Sequence, residues 1–242
     1  MDNALEPQSD AGSKVRTKGI LYGVGVGPGD PELLTLKAAR ILREADVIAI
    51  PDTGKGGKTA LAIVRGHIEG KERIYCPAPM SGDRHEADEA YDKTAASIAE
   101  HLTRGESIAF ITIGDPSVYS TYCYLAQRVA AMGYATQTIS GITSFCAAAA
   151  RLGESLCEGA QALHIIPASS MTPEQWRGLS GNKVLMKAGG KLPELTATLA
   201  ELDADIFAVT NCGMENESIA RSAAEIADEA GYFSVIIVKE RN

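Results

Sequence analysis

The sequence predicts an α/β protein built as two successive α/β domains, and two observations carry that expectation. Apolar runs of strand length alternate with amphipathic segments of helix length from residue 19 onward, and a new round of alternation begins after Gly133. The chain has 242 residues, 45% hydrophobic but only 5% aromatic. That is enough for one large core or two of about 100 to 130 residues. The expected units are therefore 19–133 and 134–242. Residues 1–18 are polar and non-periodic and read as a disordered, dispensable tail.

A strand over 20–26 runs into Gly23-Val24-Gly25-Val26-Gly27-Pro28-Gly29-Asp30-Pro31, and an amphipathic helix over 31–43 follows. Strand, glycine loop and helix come in the order of a dinucleotide site, yet the GxGxxG spacing fails in every register. Its third position falls on Pro28, Asp30 or Glu32. Asp30 suits an N-cap, Pro31 the first helical position and Glu32 the first turn, so the helix start carries its own anions. A pyrophosphate would meet like charge there, and the loop is expected to wall a site whose ligand lacks phosphate.

A strand over 47–50 leads into Pro51-Asp52-Thr53-Gly54-Lys55-Gly56-Gly57-Lys58. Gly57-Lys58-Thr59 ends like a P-loop, but the Walker spacing demands glycine where Asp52 stands, so the stretch reads as a flexible, cationic substrate loop. A helix over 59–67, a short strand over 73–76 and a turn-rich stretch over 77–85 follow. The next helix, over 86–103, aligns Ala95, Ile98, Ala99 and Leu102 on one face. A strand over 107–113, apolar enough to be central, ends in Gly114-Asp115-Pro116-Ser117-Val118-Tyr119. Ligands of open α/β sheets sit beyond the carboxyl ends of strands, so this loop and the opening one can share a rim.

A helix over 120–132, a strand over 135–139 and the turn Ser140-Gly141-Ile142-Thr143-Ser144 precede a helix of small residues over 145–152. Strands over 163–166, 184–186, 206–210 and 233–239 then alternate with helices over 173–179 and 193–202. The pattern over 217–230 leaves strand and helix open, and no internal repeat is visible.

A net charge of −8 without a concentrated basic face argues against a nucleic-acid partner. It leaves room for an anionic small molecule, because Lys55 with Lys58, Arg84 with His85, and Lys187 with Lys191 form local cationic pairs. No apolar run approaches the roughly 20 residues of a spanning helix, and the first 18 residues lack a signal-peptide core, so a cytoplasmic protein without a membrane partner is expected. Cys76, Cys123, Cys146, Cys157 and Cys212 are odd in number and form no CxxC pair. They read as reduced structural thiols, and no metal is expected.

Asp115, between glycine and proline after an apolar strand, fits a turn cap and a ligand contact equally. Thr143 and Ser144 stand at a helix start, where hydroxyls usually cap. Met186 fits core packing as well as a ligand wall, and His164, in an apolar strand, reads as a core histidine. His85, in a polar loop beside Arg84, is the better functional histidine. No Ser/His/Asp arrangement, metal-ligand spacing or nucleophile elbow is present, which weighs against hydrolase chemistry.

Gly27-Pro28-Gly29-Asp30-Pro31-Glu32-Leu33-Leu34-Thr35-Leu36-Lys37-Ala38, Gly114-Asp115-Pro116 and Gly141-Ile142-Thr143-Ser144 together resemble the tetrapyrrole methylase family of S-adenosylmethionine-dependent methyltransferases. The resemblance narrows at Gly141 to Gly153, at Pro79-Met80-Ser81-Gly82-Asp83 and at Leu185-Met186-Lys187. There it points to the members that methylate C20 of precorrin-2 or cobalt-factor II in corrinoid biosynthesis. It implies a homodimer with S-adenosylmethionine held in a cleft between the two α/β domains. Carried over by motif, Pro28, Gly114, Asp115, Val118, Thr143, Ser144, Met186, Gly213 and Met214 would touch the cofactor.

Members acting on uroporphyrinogen carry an Asp in the loop after the second strand, where this chain has Pro51 with Asp52 beside it. Asp52, His85, water and a carboxylate of the substrate are the candidate proton acceptors, and Lys55, Lys58, Arg84 and Lys187 the candidate partners of macrocycle carboxylates. The alternatives are methylation at another macrocycle position and a non-catalytic tetrapyrrole-binding module. A nicotinamide-dependent oxidoreductase is weakened by the failed glycine fingerprint.

Overall fold

β1 (Ile20–Gly25) lies between β4 (Ile108–Thr112) and β5 (Ala135–Ile139), parallel to both, and divides its side chains between two cores. Leu21 faces the core beneath α3 (Arg84–Thr103) and α4 (Tyr122–Ala131); Val24 faces the one beneath α1 (Leu36–Glu44) and α2 (Lys55–Val64). β2 (Val47–Asp52) pairs with β4 from the other side, and β3 (Glu72–Pro77) is the outer strand. The order is β3-β2-β4-β1-β5, with every pairing parallel. All of β4 is buried, as helices on both faces require. These features come from a computed structural model that describes residues 18–52, 55–77, 84–188, 192–226, 231 and 233–241.

The connection leaving β1 returns at β2, on one side, while the connection leaving β4 returns at β5, on the other. These neighbouring strands therefore part at their carboxyl ends, the switch point where crevices open in such sheets. The loops following them remain joined: Gly114 N–H donates to Gly27 O at 2.8 Å.

The second sheet has the order β6-β7-β10-β8-β9, made of β6 (Leu163–Pro167), β7 (Asn182–Met186), β10 (Ser234–Glu240), β8 (Ala204–Thr210) and β9 (Ser218–Ala220). Only β6 and β7 pair in parallel. α6 (Pro173–Arg177) and α7 (Leu192–Ala200) cover one face through Trp176, Leu195 and Leu199. α5 (Ser144–Leu152) covers the other through Phe145, Ala148 and Leu152 against Val184, Val209 and Val235. Its alanines let the helix lie close to the sheet, and Gly153 at φ 72° closes it with a left-handed cap.

The α/β class and the two-sheet plan agree with the sequence, and four local expectations are corrected. A division at 133/134 would give the strand over 135–139 to the second unit, but β5 pairs with β1 from Ile20↔Ala135 to Val24↔Ile139, so the change of sheet follows β5. The helix over 31–43 is two pieces: a 3-10 turn, Pro31–Leu33, whose Asp30 cap accepts Glu32 N–H, and α1, where the Thr35 hydroxyl accepts Ala38 N–H at 3.2 Å.

The cationic loop over 51–58 is shortened because α2 begins at Lys55. Gly57 permits this, since a Cβ there would stand 2.1 Å from the Pro51 carbonyl oxygen. His85 belongs to the first turn of α3 and not to a loop. Within 217–226 the chain forms β9 and a 3-10 turn, Ala223–Glu225. Residues 1–17 of the expected tail over 1–18, the Pro79-Met80-Ser81-Gly82-Asp83 motif and Lys191 fall outside the described residues.

Candidate functional site

A cleft opens where the carboxyl ends of β1, β2, β4 and β5 meet the carboxyl ends of β7 and β8 and the start of β10. Its floor is glycine. A Cβ at Gly141 would stand 2.2 Å from Gly114 O, and one at Gly25 would stand 2.6 Å from Gly141 N, so three loops meet here backbone to backbone.

Asp115 fixes that meeting. Its side chain belongs to a residue only 7% exposed. One carboxylate oxygen accepts the Ser117 N–H at 2.8 Å and the Ser117 hydroxyl at 2.5 Å, and the other accepts Gly141 N–H at 2.9 Å. Burial pushes the carboxyl pKa up, but the bonds from Ser117, Gly141 and the Ser140 hydroxyl outweigh it and hold the group below its ordinary value. Asp115 is thus an anion whose oxygens are engaged by the protein, a brace for the loops more than a free hand in the cleft.

Thr143 shows the opposite state. It is the N-cap of α5, yet its hydroxyl caps nothing, and Oγ1 is buried with no hydrogen-bond partner. A buried hydroxyl left so costs free energy unless something else meets it. Pro28, Val118, Phe145, Met186 and Val235 supply an apolar lining around it.

The second wall is the turn after β8. A Cβ at Gly29 would stand 2.2 Å from Cys212 O, and one at Gly213, whose φ is 76°, would stand 2.7 Å from Asp30 N. The turn is held from outside by Glu217, which accepts Gly213 N–H at 2.8 Å and pairs with Arg151 at 2.5 Å. Burial would raise the Glu217 pKa, and the Gly213 and Arg151 contacts bring it below its usual value. Burial likewise pushes the Cys212 thiol up to about 11, so it stays a neutral wall residue.

Among the described residues, three without glycine's freedom adopt a left-handed backbone: Tyr119 (φ 50°), Lys187 (φ 58°) and Asn211 (φ 53°). Tyr119 and Lys187 line the cleft, and Asn211 precedes the lining residue Cys212. Strain of this kind gathers at ligand sites.

The family model of the Tetrapyrrole (Corrin/Porphyrin) Methylases matches residues 20–227 of this chain. This chain belongs to the tetrapyrrole methylases. It is 33% identical to the cobalt-precorrin-2 C(20)-methyltransferase of Salmonella typhimurium over 92% of this chain and 97% of that one. It is also 33% identical to the precorrin-2 C(20)-methyltransferase of a Sinorhizobium species, over 91% and 95%. The fold matches a uroporphyrin-III C-methyl transferase of Thermus thermophilus solved with S-adenosyl homocysteine, with a TM-score of 0.66 and 20% identity over 92% of this chain and 98% of that one.

Of the residues singled out in the methylase's sequence, Pro28, Gly114, Asp115, Val118, Thr143, Ser144, Met186 and Lys187 come together around the cleft. Gly213 and Met214 do not line it; they back the opening loop at Asp30 and Gly29. Asp52 is exposed beside the lining residue Pro51. His85 lies outside the lining, with a side chain 83% exposed and 3.4 Å from Glu89. Lys55 and Lys58 share the first turn of α2, whose Gly56 reaches the lining, and Arg84 opens α3. Sequence reasoning missed Tyr119, Phe145, Cys212 and Ser234 as lining residues. Tyr119 and Phe145 lie within stretches the sequence already singles out, and Cys212 directly precedes Gly213, so the signal was local.

Proposed function

We propose that this protein transfers a methyl group from S-adenosylmethionine to C20 of precorrin-2 or cobalt-factor II in corrinoid biosynthesis. The observation that carries the reading is the 33% identity to two C20-methyltransferases over more than nine-tenths of each chain. The cleft is compatible with the cofactor. An unpartnered buried hydroxyl at Thr143, an apolar lining and a 3-10 turn whose start is already occupied by the Asp30 carboxylate favour a ligand without phosphate.

S-adenosylmethionine, when bound, supplies the methyl group on a sulfonium and leaves as S-adenosylhomocysteine. Pro28, Gly114, Val118, Thr143, Ser144 and Met186 would hold it. Asp115 keeps the Gly114 and Gly141 loops in place for it, and Gly213 and Met214 support the opening loop from behind. The macrocycle provides an electron-rich meso carbon, so the chain has to orient more than activate, and orientation can supply up to roughly 7–11 kcal/mol. Positive charge disperses along the reaction, so a partly dry cleft carries no penalty.

C20 gives up a proton once its bond to the methyl carbon has formed. Asp115, the carboxylate of the cleft lining, already accepts hydrogen bonds from Ser117, Gly141 and Ser140, so water or a carboxylate of the substrate is the acceptor. Lys187 at the lining, together with Lys55, Lys58 and Arg84, would meet the substrate's carboxylates. The reading carries a homodimer with it, which light scattering tests.

Incubating the purified protein with S-adenosylmethionine and precorrin-2, or with cobalt-factor II in a parallel reaction, tests the activity. The expected product has gained one methylene in mass, with the new methyl at C20 by NMR. An unchanged mass in both reactions removes the reading, and a methyl elsewhere moves it to another position on the ring.

A further inference from the structure

Two strained residues face one another across the cleft. Tyr119, at φ 50°, belongs to the loop between β4 and α4, and Lys187, at φ 58°, follows β7 directly. The gap is spanned twice. The Tyr119 hydroxyl donates to the Ile165 carbonyl of β6 at 2.9 Å, and Lys187 Nζ lies 5.6 Å from the centre of the Tyr119 ring. Both residues line the cleft, and Tyr119 is still 47% exposed, which puts its ring at the mouth and not in a core.

We propose that Tyr119 is a positioning residue that holds the Lys187 ammonium at the cleft mouth to receive a peripheral carboxylate of an anionic macrocycle. The proposal rests on the reading of the substrate as a carboxylated tetrapyrrole. A lysine ammonium on a four-carbon stem samples many positions, and a fixed point charge needs something to restrain it. An aromatic face attracts the ammonium through its quadrupole without neutralising it. The bond to Ile165 fixes the ring, and the left-handed backbone at both residues marks a geometry that the surroundings impose.

The test uses uroporphyrin III, an eight-carboxylate tetrapyrrole, in fluorescence titrations at low salt with S-adenosylhomocysteine present. Calorimetry with S-adenosylhomocysteine alone runs beside it. Tyr119→Leu keeps bulk and loses ring and hydroxyl; Tyr119→Phe keeps the ring. Tyr119→Leu is expected to weaken porphyrin binding about five- to tenfold, and Tyr119→Phe about two- to threefold. Lys187→Met should lose about tenfold, the double variant Tyr119→Leu with Lys187→Met should be no weaker than Lys187→Met alone, and cofactor-product affinity should stay within about twofold throughout.

The proposal is overturned if Tyr119→Leu binds porphyrin like the wild type, if the two losses multiply in the double variant, or if S-adenosylhomocysteine affinity falls in parallel. A wild-type protein that binds no uroporphyrin III overturns it as well. Failure of the wild type to methylate both precorrin-2 and cobalt-factor II, with porphyrin binding and the coupling intact, would instead remove the C20 reading and leave this one in place.

Discussion

The Asp115 carboxylate accepts the backbone N–H of Gly141 at 2.9 Å and so fastens the loop after β4 to the loop after β5. Both loops contribute to the cleft, and Gly141 lies so close to Gly114 that a Cβ on Gly141 would stand 2.2 Å from the Gly114 carbonyl oxygen. The bond sets the spacing of the cleft floor, and the residues proposed to hold the cofactor inherit that spacing.

Asp115→Asn presents an amide N–H2 where carboxylate oxygens now accept from Ser117 and Gly141, and leaves at least one donor unpaired. A buried donor without a partner costs about 1–3 kcal/mol. We expect S-adenosylhomocysteine affinity to fall more than about tenfold in Asp115→Asn and to change less than about twofold in Asp52→Asn. Calorimetry giving the same affinity for both variants and the wild type would falsify the bracing role.

The acid limb of stability should follow from the same group. Asp115 and Glu217 both have folded-state pKa values below their ordinary ones, because hydrogen bonds to each carboxylate overcome burial. A carboxylate with a lowered folded pKa stabilises above its unfolded value, about 4, and loses that contribution as pH falls through the folded one. Wild type should therefore lose melting temperature steeply below about pH 4, and Asp115→Asn should narrow its deficit there. Thermal denaturation between about pH 3 and pH 7 checks this, and a constant gap across the range would count against it.

Gly29 predicts a second loss of function through the backbone. A Cβ there would stand 2.2 Å from the carbonyl oxygen of Cys212, which cannot rotate away as a side chain can. Gly29→Ala must push the opening loop from the turn after β8, at about 1–3 kcal/mol. We expect a lower melting temperature and weaker S-adenosylhomocysteine binding, whereas Gly66→Ala, with nothing within 4 Å of its Cβ, should do neither. Equal behaviour of the two variants would show that the junction yields freely.

What the sequence disclosed and what it hid divide along physical lines. The loops at Gly27 and Gly114 were legible because each follows an apolar strand and carries turn residues in local order. The sheet membership of β5 was not, since alternation records burial and says nothing of which neighbour a strand pairs with. Thr35 was hidden behind Asp30 and Pro31, which signal a helix start one turn too early. Gly213 and Met214 sit beside a lining residue in sequence but pack on Asp30 and Gly29 in space. The contact of Tyr119 with Lys187 joins residues on different sheets, and no local pattern encodes it.

Asp52 and His85, the two side-chain acceptors suggested by the sequence, should contribute little to turnover. Both are exposed and neither belongs to the cleft lining, while the His85 pair with Glu89 is a solvent-facing contact within one helix. A side chain acting as general base is typically worth about 10²–10⁴ in rate. We expect kcat on precorrin-2 to change less than about threefold in Asp52→Asn and in His85→Ala. A hundredfold loss in either would identify it as the acceptor of the C20 proton, about the lower end of what such a base supplies.

Thr143 allows the separation of binding from folding. Its Oγ1 is buried without a partner and makes no cap bond, so in the free protein the hydroxyl contributes a cost and no bond. Thr143→Val keeps the branched shape and removes that cost, which in proteins runs to about 1–3 kcal/mol. The variant should melt no lower than the wild type. If the cofactor meets the hydroxyl, the same change removes one hydrogen bond from the complex, and S-adenosylhomocysteine affinity should fall about fivefold, with Thr143→Ser retaining most of it. A Thr143→Val protein that melts lower and binds equally well would make the hydroxyl a structural group and move the cofactor away from the start of α5.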